Sequence, residues 1–245
     1  MSKHFELLRE VEIELGTKAN GRHTESSNYS LPCRFESKIG PRTQEALCKL
    51  VRGLFLTSGQ HSRCILFAGA AAGVGCTWVS VHVAQVLSSL TAAQVCLVEA
   101  STTPSWLSAY FNISDLKEPS ESETFNRVSA KRVGDNLWLI PADADHLGGV
   151  ASPGELLEAR IEQLRHDFDY VLLDGSSMSD SSRSMAFAPM VDGAILVLRA
   201  GHTSRPALQR SIKDFETVGM KVIGTVLNKR EYPIPASIYK RFIRP

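Results

Sequence analysis

The chain has 245 residues, of which 43% are hydrophobic and 22% charged, a composition typical of a folded domain with one large core. Its 27 basic residues nearly balance 26 acidic ones, and the resulting net charge of +1 excludes a non-specific nucleic-acid binder. Five cysteines without metal-ligand spacing predict neither a disulfide framework nor a zinc site, and they favour a cytoplasmic protein. We expect no transmembrane segment, because no apolar run approaches the ~18 residues that a span needs.

The first part of the chain differs in composition from the rest. Apolar residues recur at helical spacing over residues 1–16, whereas residues 17–43 are rich in Ser, Asn, Gly, Pro and charge. We therefore predict an N-terminal helix and flexible arm over 1–43, followed by a domain over 44–245. The spacing of the apolar residues between Leu47 and Phe55 predicts a helix over 42–55.

Short runs that are apolar on both faces follow this helix, and such runs suit strands covered by helices on both sides of a parallel sheet. The runs are Cys64–Ala68, Val95–Val98, Leu137–Ile140, Tyr170–Leu173, Ala194–Leu198 and Val222–Leu227. Helical patterns over 77–90, 155–165 and 205–218 lie between some of them, and Gly219 is a candidate C-cap for the last. This alternation predicts an α/β fold with a doubly wound, mostly parallel sheet, and the polar segment 112–136 as an irregular insertion.

The first predicted strand leads into GAAAGVGCTWVS, a loop of small residues followed by a helix that begins near Thr77. Backbone amides in such a loop, together with the helix N-terminus, can bind phosphate oxygens. In the phosphate-loop pattern G-x-x-x-x-G-K-[ST], Ala70 stands at the first glycine, Gly75 at the second and Thr77 at the hydroxyl, with Gly73 between them. The loop alone fits a tight strand-to-helix connection equally well.

The position of the phosphate-binding lysine is occupied by Cys76. The ammonium of that lysine bridges the β- and γ-phosphates and neutralises the charge that develops during transfer. A thiol is shorter, has no positive charge, and can become an anion at a helix N-terminus. Phosphoryl transfer is therefore expected to be slow or lost.

Several segments in the same order resemble the bacterial tyrosine kinases (BY-kinases) of capsule and exopolysaccharide export, which are related to MinD and ParA. MSKHFELLREVE resembles the family's opening, FAGAAAGVGCTWVSVHVAQVL its Walker A region and VCLVEASTTPSWLSAYFNI its Walker A′ region. The segment from FDYVLLDG to RPALQRSI resembles Walker B and the chain after it, and VIGTVLNKREYPIP resembles the last core strand.

The resemblance assigns ancestral roles to single residues. It implies that Thr77 and Asp174 would ligate Mg²⁺ and that Asn228 lies near the adenine base. Asp174 is the Walker B carboxylate and Glu99 takes the place of the first Walker A′ aspartate, so these two are the implied catalytic acids. Ser101 replaces the second Walker A′ aspartate and removes its charge. The implied cofactor is ATP or ADP with Mg²⁺, bound weakly or not at all.

Other departures from the family pattern concern assembly and substrate. The motif E-x-x-R-x-x-R, which the family uses for ring formation, keeps Glu45 but has Cys48 and Val51 at the arginine positions. The tyrosine cluster at the end of the chain is reduced to Tyr232 and Tyr239. Both departures predict a poor autokinase.

We interpret the sequence as a regulator or scaffold of exopolysaccharide synthesis or export. Its expected partner is a membrane chain-length determinant (polysaccharide copolymerase) or an intact paralogous kinase, which would hold it peripherally at the inner membrane. One alternative is an active tyrosine autokinase or ATPase that uses a basic residue from elsewhere, with Arg63, Lys229 and Arg230 as candidates. Another is a MinD/ParA-like positioning switch that binds membrane or cargo through a tail containing Phe242 and Ile243.

Overall fold

The computed structural model describes residues 39–56, 62–100, 107, 110–111, 130–141, 154–177 and 182–230. The strands are β1 (Cys64–Gly69), β2 (Val95–Glu99), β3 (Lys131–Arg132), β4 (Leu137–Ile140), β5 (Tyr170–Ser177), β6 (Gly193–Arg199) and β7 (Val222–Asn228). They form a seven-stranded sheet in the order β3-β4-β2-β5-β1-β6-β7. Neighbouring strands are parallel except for β3, which pairs antiparallel with β4. The predicted doubly wound, mostly parallel sheet is confirmed.

Helices cover both faces of the sheet. They are α1 (Pro41–Val51), α2 (Cys76–Leu90), α3 (Gly154–Asp167), α4 (Ser182–Ala186) and α5 (Arg205–Thr217). Strand residues alternate between two apolar cores, as the period of two in a strand requires. In β1, for example, Ile65 and Phe67 pack with α1 and α2, whereas Leu66 packs in the second core with residues of α3 and α5. The runs without polar alternation are therefore explained by burial on both faces.

Three local features differ from the sequence-based expectations. The predicted helix over 42–55 is α-helical only to Val51 and continues as a π-helical turn over Arg52–Leu56, which buries both Leu54 and Phe55. The segment predicted to be irregular contains the short edge strand β3. The predicted N-terminal helix and the C-terminal tail from residue 231 lie outside the described residues, and the domain boundary at residue 43 stays a prediction.

Strand β5 continues past its apolar run into a polar Asp-Gly-Ser-Ser sequence. It lies between β2 and β1, and it pairs with β2 as far as Asp174 and with β1 as far as Ser177. A Cβ atom on Gly175 would lie 2.8 Å from the carbonyl oxygen of Phe67, so only glycine fits at this point of the strand. The extension places Asp174 inside the sheet edge at which β1, β2, β6 and β7 also end, the edge where such sheets bind ligands.

Candidate functional site

The loop between β1 and α2 has the backbone form of a phosphate cradle. Gly73 and Gly75 have φ values of 71° and 89°, a left-handed conformation that glycine adopts without steric cost. The Ala70 amide donates to the Val197 carbonyl at 3.0 Å, which fixes the start of the loop to β6. Helix α2 begins at Cys76, so its first free amides face the inside of the loop.

The side chain of Asn228 holds this loop from the end of β7. It is 2% exposed, and its Nδ2 donates to the Val74 carbonyl at 2.9 Å. Its Oδ1 accepts from the backbone amide of Lys229 at 2.8 Å. A Cβ on Gly75 would lie 2.5 Å from Asn228 Nδ2, so the loop and the amide side chain are in close contact. Asn228 thus contacts the loop through a side-chain amide that is bound to protein backbone, and its place near an adenine base stays a prediction.

The two predicted acidic residues lie beside each other under the loop. Glu99 and Asp174 are register partners on β2 and β5, and they are 3% and 1% exposed. Asp174 Oδ1 accepts a hydrogen bond from Ser80 Oγ at 3.0 Å. Burial raises the pKa of Asp174 to about 6, and the neighbouring Glu99 adds to the rise, while hydrogen bonds from Thr77, Ser80 and Cys76 oppose it.

The thiol of Cys76 is turned toward the same carboxylate. Burial, then the negative charge of Asp174 and the hydrogen bond to it, raise the pKa of the Cys76 thiol well above its ordinary value. The side chain is therefore a neutral thiol. The thiolate that a helix N-terminus alone would favour is disfavoured here. In place of a cation, the loop has a neutral group bound to the carboxylate below it.

A lysine that the loop motif does not include reaches this site. Lys229 Nζ donates to the Gly73 carbonyl at 2.8 Å, across a sequence separation of 156 residues. Among the described residues, Lys229 is the only non-glycine with positive φ, at 57°. That conformation costs a non-glycine residue on the order of 1 kcal/mol. Sequence reasoning named Lys229 only as one of three candidate cations, because no local pattern predicts this long-range contact.

A cavity of about 580 Å³ opens beside the loop at the carboxyl ends of β6 and β7. Its walls are Leu227 and the basic side chains of Arg199, His202, Lys229 and Arg230, with the turn 200–203. Lys229 both contacts the loop and lines this cavity.

The structure brings together most of the site residues predicted from sequence. These lie at the carboxyl edge of the sheet: Ala70, Gly73, Gly75, Cys76, Thr77, Glu99, Asp174 and Asn228. Of the three candidate cations, Arg63 precedes β1 at the opposite edge, where its amide bonds Asp192 at 2.7 Å. Ser101 and the tail residues Tyr232, Tyr239, Phe242 and Ile243 lie outside the described part of the chain.

The two positions at which the assembly arginines are replaced point into the protein. Cys48 and Val51 are 7% and 0% exposed and pack in the core under α1. Glu45 is exposed and pairs with Lys49 at 2.7 Å on the same helix. The described face of α1 therefore offers no arginine at either position of the ring-forming motif.

The oxygen ligands present fit a magnesium-bound polyphosphate. Thr77 and Asp174 supply a hydroxyl and a carboxylate, which are the hard donors that Mg²⁺ prefers, and the Glu99 carboxylate lies beside Asp174. The glycine-rich backbone of the loop leaves open space at Gly73, where a Cβ would meet nothing within 4 Å. The departures from a complete phosphate loop are Ala70 at the first glycine and the uncharged side chain at position 76.

Searches with the sequence find kinases as relatives, although no protein-family model matches the chain. The tyrosine-protein kinase ptk of Acinetobacter johnsonii is 24% identical over 181 residues, which make up 71% of this chain and 24% of the kinase. The succinoglycan biosynthesis transport protein ExoP of Rhizobium meliloti is 32% identical over 71 residues, 29% of this chain and 9% of that protein. The chain therefore spans a quarter or less of the length of these relatives.

Solved structures support the same fold. The kinase domain of the Escherichia coli tyrosine kinase ETK superimposes with a TM-score of 0.68 at 20% identity, over 91% of this chain and 92% of that one. A chain of the MinC:MinD cell division protein complex of Aquifex aeolicus gives a TM-score of 0.55 at 19% identity, over 74% of this chain and 72% of the other. Within the described residues, no helix has both the length and the apolar character needed to cross a bilayer.

Proposed function

Because the chain is a relative of the bacterial tyrosine kinases and has the fold of their kinase domains, we propose that it is a regulatory or scaffolding component of exopolysaccharide synthesis or export. In this role its phosphate loop binds a nucleotide weakly, and phosphoryl transfer is slow or lost. The polysaccharide system would then be regulated by which nucleotide is bound, or by the presence of the domain itself, without being phosphorylated.

The observation that supports this proposal best is the contact between Cys76 and Asp174. The loop position that needs a fixed cation has a neutral thiol, hydrogen-bonded to the metal-site carboxylate. In phosphoryl transfer, a positioned cation stabilises the charge that develops on the transferred group. Removing one such preorganised donor typically lowers a rate by about 10²- to 10³-fold. The retained Thr77 and Asp174 hold metal in such sites and cannot supply the missing positive charge.

The remaining residues suit binding. Amides of the loop and of the first turn of α2 would hold phosphate oxygens, and Thr77 and Asp174 would hold Mg²⁺, which supplies charge neutralisation when bound. The cavity beside Leu227 and Lys229 would accept the rest of the nucleotide. At neutral pH, Asp174 is mostly ionised, since its pKa of about 6 lies below 7. The carboxylate is therefore available to a metal under physiological conditions.

The proposed partner is a membrane protein of the polysaccharide system, such as a chain-length determinant, or an intact paralogous kinase. This part of the proposal rests on the relatives, one of which is named as a succinoglycan transport protein. Attachment to the inner membrane would then be peripheral and indirect.

A second candidate function is an active tyrosine autokinase or ATPase. Lys229 favours it, because this cation already contacts the loop at Gly73. Incubation with Mg-ATP separates the two functions when phosphate release and autophosphorylation are measured for the natural protein and for Asp174→Ala. We expect release at the buffer background for both proteins. Turnover by the natural protein that Asp174→Ala abolishes would establish the active enzyme instead.

A further inference from the structure

We infer that Lys229 is a phosphate-binding cation of this site, which it reaches from the end of β7, and that it contributes to binding without replacing the loop lysine in phosphoryl transfer. The inference rests on the proposed nucleotide-binding function and identifies the residue on which that binding depends. Its ligand is the di- or triphosphate group of a nucleotide, with Lys229 acting as a binding residue.

The position of the ammonium group supports this assignment. Lys229 Nζ lies 2.8 Å from the Gly73 carbonyl oxygen, three residues before the position of the missing lysine. An ammonium has three N–H donors, and the loop carbonyl takes one of them. The others remain for phosphate oxygens bound at the amides of the same loop. A single flexible side chain can therefore contact the loop and its anion together.

The backbone around Lys229 is organised to hold it there. Asn228 Oδ1 accepts from the Lys229 amide at 2.8 Å, while Asn228 Nδ2 donates to the Val74 carbonyl at 2.9 Å. The Ala200 amide donates to the Asn228 carbonyl at 2.9 Å and fixes the same turn to β6. One side-chain amide thus couples the lysine to the loop. These bonds maintain a left-handed conformation that lysine rarely adopts, a local strain typical of functional positions.

The surroundings of Lys229 fit an anionic ligand. The side chain lines the cavity next to the loop, together with Arg199, His202 and Arg230. No acidic residue is among the residues that form the described walls of that cavity. The described walls of the cavity would therefore attract a polyanion, and the Lys229 ammonium lies where these walls meet the loop.

The test is an NMR-detected titration of the full chain with Mg-ADP and, separately, with tripolyphosphate, which has no base or sugar. The variants are Lys229→Gln and Lys229→Arg, with Lys221→Gln as the matched control that removes an exposed lysine at the opposite end of β7. We expect Lys229→Gln to weaken both ligands about tenfold or more, which is the effect of losing one charge-assisted hydrogen bond. Lys229→Arg should retain most of the affinity, and Lys221→Gln should change it less than twofold.

Equal affinities for the natural protein and Lys229→Gln would overturn the inference, as would the absence of any tripolyphosphate or Mg-ADP binding by the natural protein. Should Lys229→Gln unfold, Lys229→Met, which keeps most of the side-chain length without its charge, takes its place in the same comparison with the natural protein. These outcomes concern ligand affinity. The proposed function fails on a different measurement, namely rapid phosphate transfer by the natural protein, whatever the effect of Lys229 on affinity. Cys76→Lys adds a further check, since it should restore affinity to Lys229→Gln.

Discussion

Glu99 and Asp174 stand side by side at the ends of β2 and β5, as register partners that are 3% and 1% exposed. The Ala100 amide donates to the Asp174 carbonyl at 3.0 Å, so the two strand ends are fixed to each other. Two carboxylates in a region with little water disfavour each other's ionisation. The protein keeps this unfavourable pair at the edge of the sheet where its phosphate loop lies, and carboxyl groups with perturbed pKa values are typical of functional sites.

This pair predicts how stability depends on pH. The pKa of Asp174 in the folded protein is about 6, above the ordinary value of 3.8, so the folded state binds this proton more tightly than the unfolded chain. Its contribution to stability is therefore present below about pH 4 and is lost as the pH rises through 6. We expect Asp174→Asn to raise the free energy of unfolding at pH 7.5 by up to about 2 kcal/mol.

Denaturant unfolding between pH 4 and pH 7.5 measures this effect. Asp192→Asn is the control, because the Asp192 carboxylate, although partly buried, has its pKa lowered by the amides of Cys64 and Arg63 and by Arg165. That control should lose stability at pH 7.5 and change the pH profile in the opposite direction. A lower stability of Asp174→Asn at pH 7.5 would contradict the electrostatic description of the site.

The neutral thiol at position 76 predicts low chemical reactivity. Since the thiolate is the nucleophile and the pKa of Cys76 is raised well above its ordinary value, alkylation at pH 8 should be at least about tenfold slower than that of glutathione. Mass spectrometry after iodoacetamide treatment measures the rate at the Cys76 peptide alone. Asp174→Asn should increase it by removing the adjacent negative charge. Faster alkylation of Cys76 than of glutathione would be evidence for a thiolate.

The contact between Gly75 and Asn228 predicts an unequal effect of two glycine substitutions. Both Gly75 and Gly201 have positive φ, but a Cβ on Gly75 would lie 2.5 Å from Asn228 Nδ2, whereas one on Gly201 meets nothing within 4 Å. Gly201→Ala should cost about 1 kcal/mol from backbone strain alone. Gly75→Ala should cost about 2 kcal/mol more, because it also displaces the amide that holds the loop. Similar losses in thermal unfolding would mean that Asn228 does not hold the loop.

The main strands could be predicted from the sequence because a strand that is buried on both faces is a continuous apolar run. Runs such as the one in β1 have no polar alternation, and helices indeed cover both sides of them. The loop and its missing lysine could be read from spacing, since the phosphate-loop pattern is local. The antiparallel strand β3 has only two residues, Lys131 and Arg132, and no apolar pattern that could have indicated it.

The long-range part of the site could not be read in this way. The bonds from Asn228 to Val74 and from Lys229 to Gly73 join segments more than 150 residues apart, through the pairing of β7 with β6 and of β6 with β1. No spacing in the sequence shows which lysine lies next to the loop in the folded protein. The raised pKa of Asp174 likewise depends on its burial beside Glu99, which only the sheet order establishes.

The central claim is that the side chain at position 76 limits phosphoryl transfer, and the rate of phosphate release from Mg-ATP by Cys76→Lys tests it most directly. A lysine there would restore the fixed cation of the loop, so we predict a rate at least about tenfold above that of the natural protein. Cys76→Ser, which changes the thiol without adding charge, should not exceed the natural rate. A natural protein that already releases phosphate as fast as Cys76→Lys would contradict the account.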